Sequence, residues 1–253
     1  MDPNGHAAIV TGAASGLGAA TAAALAEAGA KVACLDLNLD GAKATAAKIG
    51  GIAVSCDVTS SDSAEAAVKE AAEKHGPARL LVNCAGIGPA RRMVGRDGPM
   101  PLADFEKVIA INLTGTFNMM RLCAAGMQTL SPFADGERGV IVSTASVAAF
   151  DGQIGQPAYA ASKGAVAAMT LPIARELARS LIRVMAIAPG IFETPMLAGL
   201  PQDAQDSLGQ QVPHPARLGR PGEYANLVAH IVENAMLNGE TIRLDGAIRM
   251  APK

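Results

Sequence analysis

Residues 6–18 read HAAIVTGAASGLG, a short apolar run followed by a loop that carries Gly12, Gly16 and Gly18. The apolar run predicts a buried strand, and the alanine-rich stretch 17–28 predicts a helix that ends at Gly29. Glycines at such a junction let the backbone turn tightly and approach a pyrophosphate, which the free N–H groups of the helix start can bind. A plain turn is the alternative for this G-x-x-x-G-x-G spacing, but its position after the first strand favours phosphate binding.

Strands and helices alternate outward from this loop along the whole chain. Apolar runs predict seven strands, at 6–10, 32–35, 51–55, 80–83, 140–143, 183–187 and 240–244. Helices are predicted at 17–28, 61–74, 102–130, 159–179 (with an irregularity at Pro172) and 223–233. Continuous apolar strands are typical of a parallel sheet that helices cover on both faces. We therefore predict an α/β fold, a Rossmann-type doubly wound parallel sheet of about seven strands in a single domain over residues 1–253.

The composition excludes several classes of protein. Half of the 253 residues are hydrophobic, 17% are charged and the net charge is −2, which excludes a disordered chain and a basic nucleic-acid-binding protein. No uninterrupted apolar run has the roughly 18–20 residues that span a bilayer, so we expect no membrane partner. The four cysteines and four histidines are dispersed, so no metal site is expected. The N-terminal stretch shows no leader pattern, which predicts a cytoplasmic protein.

Asp36 ends the second predicted strand, 18 residues after Gly18. A carboxylate at this position accepts hydrogen bonds from the ribose hydroxyls of NAD and repels the 2′-phosphate of NADP. The neighbours Leu35, Leu37 and Asn38 include no basic residue. A solvated turn aspartate is the alternative, but the position at a strand end favours NAD as the cofactor.

Tyr159 and Lys163 stand four residues apart in a predicted helix, which places them on one face. A nearby ammonium lowers the pKa of a tyrosine, and such a tyrosine can act as an acid or base. Ser146, thirteen residues earlier, follows the fifth predicted strand and can polarise a carbonyl. A surface pair on a helix is the alternative for the first two residues. Ser143 and Thr144 fit the serine's role equally well on spacing alone.

Six motifs occur together in one order: TGAASGLG at 11–18, NCAG at 83–86, Asn112 in INLTG, Ser146, Tyr159-x-x-x-Lys163 and Pro189-Gly190. Over essentially the whole chain this set resembles the short-chain dehydrogenase/reductase family. The resemblance implies that Tyr159 is the acid/base, that Lys163 binds the nicotinamide ribose and tunes Tyr159, that Ser146 orients the substrate oxygen, and that Asn112 holds a proton-relaying water.

The same resemblance implies an NAD site. Its residues are Gly12, Ser15, Gly16, Leu17, Gly18, Asp36, Asp57, Val58, Asn83, Cys84, Ala85, Gly86, Tyr159, Lys163, Pro189, Gly190, Phe192 and Thr194. Within it, Asp57 and Val58 touch the adenine, and the segment after Gly190 lies against the nicotinamide. The substrate contacts Ser146, Tyr159 and Gln153.

Within the family, the stretches 144–159, 162–177, 182–195, 211–219 and 237–250 are similar to the type II 3-hydroxyacyl-CoA dehydrogenases, also called 17β-hydroxysteroid dehydrogenase type 10. This similarity implies oxidation of short or branched 3-hydroxyacyl-CoA thioesters and a homotetramer. Three alternatives remain open: a 3-oxoacyl-carrier-protein reductase, another secondary alcohol or hydroxysteroid dehydrogenase, and a non-catalytic NAD-binding regulator.

Two loops are candidates for substrate contact. The loop 89–101, PARRMVGRDGPMP, carries Arg91, Arg92 and Arg96. Guanidinium groups suit phosphate oxygens, so these side chains are predicted to contact CoA phosphates, with a solvated basic loop as the alternative. The proline-containing stretch 192–215 is predicted to be a mobile substrate lid, with a static helical insert as the alternative.

Overall fold

Seven of the nine strands in the described part of the chain form one parallel sheet at the centre of the fold. The computed structural model describes residues 1–134, 136–198 and 202–252. In chain order the strands are β1 (Ala7–Thr11), β2 (Lys31–Asp36), β3 (Ile52–Ser55), β4 (Leu80–Asn83), a short antiparallel pair β5 (Val94–Gly95) and β6 (Gly98–Pro99), β7 (Gly139–Thr144), β8 (Ile182–Pro189) and β9 (Thr241–Leu244). The seven-stranded sheet has the order β3-β2-β1-β4-β7-β8-β9, and all its pairs are parallel.

Helices cover both faces of the sheet. They are α1 (Gly16–Glu27), α2 (Leu39–Ile49), α3 (Ser61–His75), α4 (Leu102–Ile109), α5 (Gly115–Gln128), α6 (Pro157–Leu177), α7 (Pro195–Ala198), α8 (Gln202–Gln210) and α9 (Pro221–Glu233). Successive residues of each strand face opposite layers. Val10, Val32 and Val142 pack with side chains of α1, α2 and α9. Ile9, Leu81 and Ile141 pack with α3, α5 and α6. The predicted doubly wound fold is confirmed.

The order of the sheet determines where a ligand can bind. The chain runs outward from β1 to β2 and β3, then returns to β4 on the other side of β1. In register, Thr11 lies beside Asn83, and Asn83 lies beside Ser143. A crevice opens outside the carboxyl ends of parallel strands at such a switch point. Both the glycine loop after β1 and the NCAG motif after β4 are located there.

One predicted helix contains a local irregularity. The stretch predicted at 102–130 is helical over Leu102–Gln128, but residues Ala110–Thr114 form a π-helical turn between α4 and α5. Short π segments inside α-helices frequently mark functional sites. The irregularity predicted at Pro172 does not end α6, which continues through it.

Among the described residues, one helical stretch, Leu102–Gln128, is long and apolar enough to cross a membrane, with a mean hydropathy of 1.2. Half of its most apolar 18-residue segment is buried inside the fold. Met119 and Met127 on α5 are fully buried in the core between this helix and the sheet. The apolar composition of this stretch is explained by packing in the core.

Helix α2 is absent from the sequence prediction. Its N-terminal residue Leu39 follows Asn38, whose side chain accepts a hydrogen bond from Gly41 N at 3.1 Å. It ends at Gly50, which has a left-handed φ of 66°. The cap at Asn38 and the stop at Gly50 are both readable signals. A glycine in the first turn and few large apolar residues weaken the helical pattern between them.

Candidate active site

A cleft of about 710 Å³ lies at the carboxyl ends of β1 and β4. Of the predicted cofactor residues, all except Asn83 line it: Gly12, Ser15, Gly16, Leu17, Gly18, Asp36, Asp57, Val58, Cys84, Ala85, Gly86, Tyr159, Lys163, Pro189, Gly190, Phe192 and Thr194. Ser146 also lines the cleft. The fold thus brings together residues from seven separate parts of the sequence.

The glycine loop needs its glycines for two physical reasons. Gly12 has a φ of 67°, and a Cβ on it would lie 2.7 Å from Ala85 N. A Cβ on Gly18 would lie 2.2 Å from the carbonyl oxygen of Gly12. The loop therefore packs too closely for any larger residue at these positions. Ser15 caps α1 without a side-chain hydrogen bond, so the first N–H groups of the helix are available to an anion.

Asp36 lies at the end of β2, next to the glycine loop. Its carboxylate accepts hydrogen bonds from Ala14 N at 3.0 Å and from Asn38 N at 2.8 Å. These bonds orient the carboxylate toward the cleft next to Leu37, whose side chain is exposed. Together with the helix start, Asp36 suits a ligand that carries a pyrophosphate and a ribose. The residues present therefore fit a nicotinamide dinucleotide.

The loop after β3 forms the wall beside Asp36. The Asp57 carboxylate accepts hydrogen bonds from Thr59 N at 2.9 Å and from the Thr59 hydroxyl at 2.7 Å. The Ser63 hydroxyl accepts a hydrogen bond from Asp57 N at 3.0 Å. These bonds hold Asp57 in a turn, while the Val58 side chain is buried beneath it. A flat apolar ring can pack against this wall.

The NCAG motif forms the floor of the cleft, with one correction. Thr11 Oγ1 accepts hydrogen bonds from Cys84 N and Ala85 N, each at 3.2 Å, which ties β4 to β1. Asn83 does not line the cleft, because its side chain is buried on the other face of the sheet and donates to Ser143 Oγ at 3.3 Å. Burial raises the pKa of the Cys84 thiol, so it remains protonated and is a packing residue.

Lys163 is the centre of the catalytic group. Its side chain is only 5% exposed, and Nζ donates a hydrogen bond to the carbonyl oxygen of Thr144 at 2.7 Å. Nζ also lies 5.9 Å from the centre of the Tyr159 ring. Burial lowers the pKa of Lys163 to about 8, because an ammonium loses its hydration there. Lys163 is thus a partly desolvated cation one helical turn from Tyr159.

Tyr159 differs from the sequence prediction in its titration. We expected Lys163 to lower its pKa, but burial raises that pKa. A hydrogen bond with Ser146 acts in the opposite direction. Ser146 begins a short 3-10 turn in which its hydroxyl accepts from Ala148 N at 3.1 Å. The lowering expected from Lys163 does not offset the cost of placing a phenolate in a buried position.

The two other candidates for the role of Ser146, Ser143 and Thr144, form hydrogen bonds with other residues. Ser143 is buried on the α5 face of the sheet, where its hydroxyl contacts Asn83 and the Met120 sulfur. The Thr144 hydroxyl donates to the carbonyl oxygen of Asn83 at 2.6 Å. Of the three, Ser146 is the one whose hydroxyl acts to lower the pKa of Tyr159.

Asn112 lies behind the cleft, within the π-helical turn. Its Oδ1 accepts from Ile87 N at 2.9 Å, and its Nδ2 donates to the carbonyl oxygen of Ile87 at 2.8 Å and to Ser162 Oγ at 3.0 Å. Its side chain does not line the cleft. In this arrangement the amide fixes the chain just after the NCAG motif. The predicted role in proton relay stays a prediction.

The predicted substrate residues outside the catalytic group are arranged differently. Gln153 does not line the cleft, because its Nε2 donates to the carbonyl oxygen of Ala251 at 2.9 Å. Arg91 forms an ion pair with Asp104, and this pair connects the loop 89–101 to α4. Arg92 and Arg96 are exposed, and Arg96 lies in the turn between β5 and β6. The contact of these arginines with CoA stays a prediction.

The predicted lid, 192–215, contains α7 and α8, and residues 199–201 lie outside the described residues. Phe192 and Thr194 at its start line the cleft, and so does Pro195. Just after the end of the predicted lid, Arg217 forms a bidentate ion pair with Glu223, with N–O distances of 2.6 and 2.9 Å. The lid's movement is not decided by these contacts and stays a prediction.

A family model described as short chain dehydrogenase matches residues 6–205, which include the glycine loop and the Ser146, Tyr159 and Lys163 positions. The chain belongs to the short-chain dehydrogenase family. As an enzyme of this family, it carries its reactive groups at one end of the cleft and the glycine loop and Asp36 at the other.

Individual relatives of this short-chain dehydrogenase are similar over nearly the whole chain. The human protein named 3-hydroxyacyl-CoA dehydrogenase type-2 is 52% identical over 252 residues, 98% of this chain and 97% of the relative. A crystal structure of 3-hydroxyacyl-CoA dehydrogenase type-2 from Mycobacterium avium has a TM-score of 0.94 at 43% identity and covers 98% of both chains. A 3-ketoacyl-(acyl-carrier-protein) reductase from Brucella melitensis, crystallised with NADH, has a TM-score of 0.86 at 29% identity, over 98% of this chain and 99% of that one.

Sequence reasoning missed several lining residues of this short-chain dehydrogenase. Lys107, Ala110 and Ile111 line the cleft from α4 and the π-helical turn, and Thr59 lines it beside Asp57. No local motif marks the first three, because they reach the cleft only through packing of α4 on the rest of the fold. Within the described ranges, no cluster of three or more potential metal-ligating side chains is found.

Proposed function

We propose that this short-chain dehydrogenase is NAD-dependent and oxidises short or branched 3-hydroxyacyl-CoA thioesters to 3-oxoacyl-CoA. The observation that carries the proposal is the convergence of Ser146, Tyr159 and Lys163 on one end of a cleft whose other end presents Asp36. The names of relatives that are 52% and 43% identical over nearly the full length support the substrate class.

The cofactor would be held along the cleft. The N–H groups at the start of α1 would bind the pyrophosphate, and Asp36 would accept hydrogen bonds from the adenine ribose. Lys163, with Nζ already fixed by Thr144, would donate to the nicotinamide ribose. When bound, NAD⁺ supplies the acceptor for the hydride that leaves the carbinol carbon. The remaining work falls to side chains of the protein.

Tyr159 would remove the proton of the substrate hydroxyl as the C–O bond becomes a carbonyl. Because burial raises the pKa of Tyr159, proton transfer requires a stabilised phenolate. The Lys163 ammonium and the Ser146 hydroxyl both stabilise negative charge on that oxygen. Ser146 would also orient the substrate oxygen. In the reverse direction, Tyr159 would return the proton to the alkoxide oxygen.

Arg92 and Arg96 are proposed to contact the CoA phosphates. Both are exposed on the loop 89–101, whose Arg91 N donates to the carbonyl oxygen of Gly155 at 2.7 Å. That bond places the loop beside the segment that leads to Tyr159. A nucleotide extending out of the catalytic end would meet these guanidinium groups, which form charged hydrogen bonds with phosphate.

A 3-oxoacyl-carrier-protein reductase is the second candidate, because a reductase of that name is similar in structure at a TM-score of 0.86. The experiment measures turnover of 3-hydroxybutyryl-CoA with NAD⁺ beside the same acyl group on carrier protein. The proposal expects a kcat/KM for the CoA thioester at least about tenfold higher. Preference for the carrier-protein thioester would support the second candidate, and turnover of neither would contradict both.

We also propose that the enzyme is a homotetramer, on the basis of its family. Light scattering of the purified protein tests this directly. The expected mass is that of four chains of 25.6 kDa each, and the mass of a single chain would contradict it.

A further inference from the structure

Tyr224 is one of only two tyrosines in the chain, and the chemistry proposed above does not use it. It lies on α9, in the helical layer opposite α6, and none of its surface is exposed. A buried hydroxyl is costly unless it is hydrogen-bonded. The Tyr224 oxygen lies 2.7 Å from Thr144 Oγ1, at the end of β7.

The direction of this hydrogen bond follows from counting protons. The Thr144 hydroxyl donates its single proton to the carbonyl oxygen of Asn83 at 2.6 Å. Its oxygen can then only accept from Tyr224, so the tyrosine is the donor. The Cys84 thiol in turn donates to the Tyr224 oxygen, at an Sγ–O distance of 3.9 Å. A one-way chain therefore runs from Cys84 through Tyr224 and Thr144 to Asn83.

This chain ends on the residue that holds Lys163. The carbonyl oxygen of Thr144 accepts the hydrogen bond from Lys163 Nζ at 2.7 Å. On one side the backbone of Thr144 is in register with Ile187 of β8. On the other side its position depends on the hydroxyl bonds to Asn83 and Tyr224. The place of the Lys163 ammonium is thus set by a buried network on the far side of the sheet.

We propose that Tyr224 is a positioning residue that acts through Thr144 on Lys163. This inference rests on the proposed function, since it concerns the ammonium that would bind the cofactor ribose and stabilise Tyr159. Tyr224 touches neither the reacting atoms nor the cleft. Its hydroxyl restricts Thr144 to the orientation in which the carbonyl faces Nζ.

The effect on pH dependence has a definite sign. The titratable groups near Lys163 are Tyr159 on its own helix, Cys84 after β4 and, through Thr144, Tyr224 on α9. The Thr144 carbonyl stabilises the charged form of Lys163. If the carbonyl shifts away, the pKa of Lys163 falls further. Cofactor affinity that depends on the ammonium is then expected to fall at a lower pH than in the wild type.

The test compares four variants of the full-length protein: Tyr224→Phe, Thr144→Val, Thr144→Ser and Thr170→Val. Thr170 is the matched control, a buried threonine of α6 whose hydroxyl donates only within its own helix, to Val166 O at 2.9 Å. NADH binding is measured by fluorescence across pH, together with kcat and the melting temperature. Binding does not depend on the substrate, so it separates this inference from the substrate proposal.

Tyr224→Phe and Thr144→Val are expected to lower kcat about tenfold and to move the alkaline loss of NADH affinity to lower pH. Thr144→Ser, which keeps a hydroxyl, is expected to retain about fivefold more activity than Thr144→Val. Thr170→Val is expected to leave both readouts unchanged. If Tyr224→Phe fails to fold, the difference between Thr144→Val and Thr144→Ser carries the test.

Two results would overturn the inference. A folded Tyr224→Phe protein with wild-type kcat and wild-type pH dependence shows that the hydroxyl only contributes to packing, whatever its melting temperature. Equal activity of the Thr144→Val and Thr144→Ser proteins would likewise show that the hydroxyl at position 144 does not position Lys163. A wild-type protein that does not bind NADH at all would contradict the proposed function itself.

Discussion

The two ends of the cleft are built in different ways. At the cofactor end, the glycine loop, Asp36 and the turn at Asp57 are held by hydrogen bonds that backbone N–H groups donate to the side chains of Asp36, Asp57 and Ser63. At the substrate end, the lining comes from the turn after β7, from α6 and from the stretch that leads into α7, with Phe192, Thr194 and Pro195. Function that relies on the first end depends on a rigid frame, and function at the second end depends on segments that differ between enzymes of one fold.

The chemistry lies where the two ends meet, so the largest effect is expected at Tyr159. Tyr159→Phe removes the acid/base oxygen and should lower kcat by about a thousandfold or more, while NADH binding stays within about twofold. The measurement is steady-state turnover beside NADH fluorescence. Appreciable turnover by the folded variant would show that another group carries the proton.

The cofactor end is tested by Asp36→Ala combined with Leu37→Arg. The change removes the ribose acceptor and adds a guanidinium for a 2′-phosphate. The ratio of kcat/KM for NADH over NADPH should fall by about tenfold to a hundredfold, since a charged hydrogen bond contributes about 1.5–3 kcal/mol. Lys31→Ala, an exposed residue at the start of β2, is the control. An unchanged ratio would exclude Asp36 as the discriminating residue.

The substrate end is tested by replacing Arg92 and Arg96 with alanine together, while Arg91 is kept because it pairs with Asp104. The KM for acetoacetyl-CoA should rise about tenfold, because charged contacts with phosphate are lost. The KM for a small ketone without phosphates should not change. An equal rise for both substrates would indicate that the loop shapes the site without contacting CoA.

The smallest effect is expected where the lid meets α9. The Arg217 guanidinium holds the pKa of Glu223 at about 2, below its usual 4.5. The stabilisation is therefore complete above pH 4.5 and is lost as the pH falls toward 2. Because both side chains are partly exposed, Glu223→Gln should lower the melting temperature by only about 1–3 °C at pH 7. The difference should shrink below pH 4.5, and a constant difference would exclude the ion pair as its cause.

The sequence predicts the residues of the cofactor end better than those that reach the cleft by packing. The reason is that local patterns encode local backbone geometry and do not encode long-range packing. Gly12, Gly18 and Asp36 are recognisable because their roles depend on local backbone geometry next to one strand end. Lys107 and Ile111 line the cleft only because α4 packs where it does, which no local pattern encodes. Gln153 does not line the cleft because its amide bonds to Ala251, nearly a hundred residues later in the chain, and its contact with substrate stays a prediction.

The pKa of Tyr159 and the hydrogen bond of Tyr224 also depend on long-range packing that the sequence pattern does not contain. The spacing of Tyr159 and Lys163 correctly predicts one helical face, but the pKa of Tyr159 depends on burial that the spacing does not contain. Tyr224 and Thr144 meet across 80 residues of sequence. Their contact becomes visible only when α9 and β7 are placed in the fold.

The most direct test of the central claim is the reduction of acetoacetyl-CoA by the purified enzyme, with NADH and NADPH compared at equal concentrations. We expect rapid oxidation of NADH and a kcat/KM for NADPH at least about tenfold lower, because Asp36 repels the 2′-phosphate. Equal or greater efficiency with NADPH would contradict the role of Asp36. The absence of turnover with either, in a protein that binds NADH, would contradict the CoA thioester as substrate.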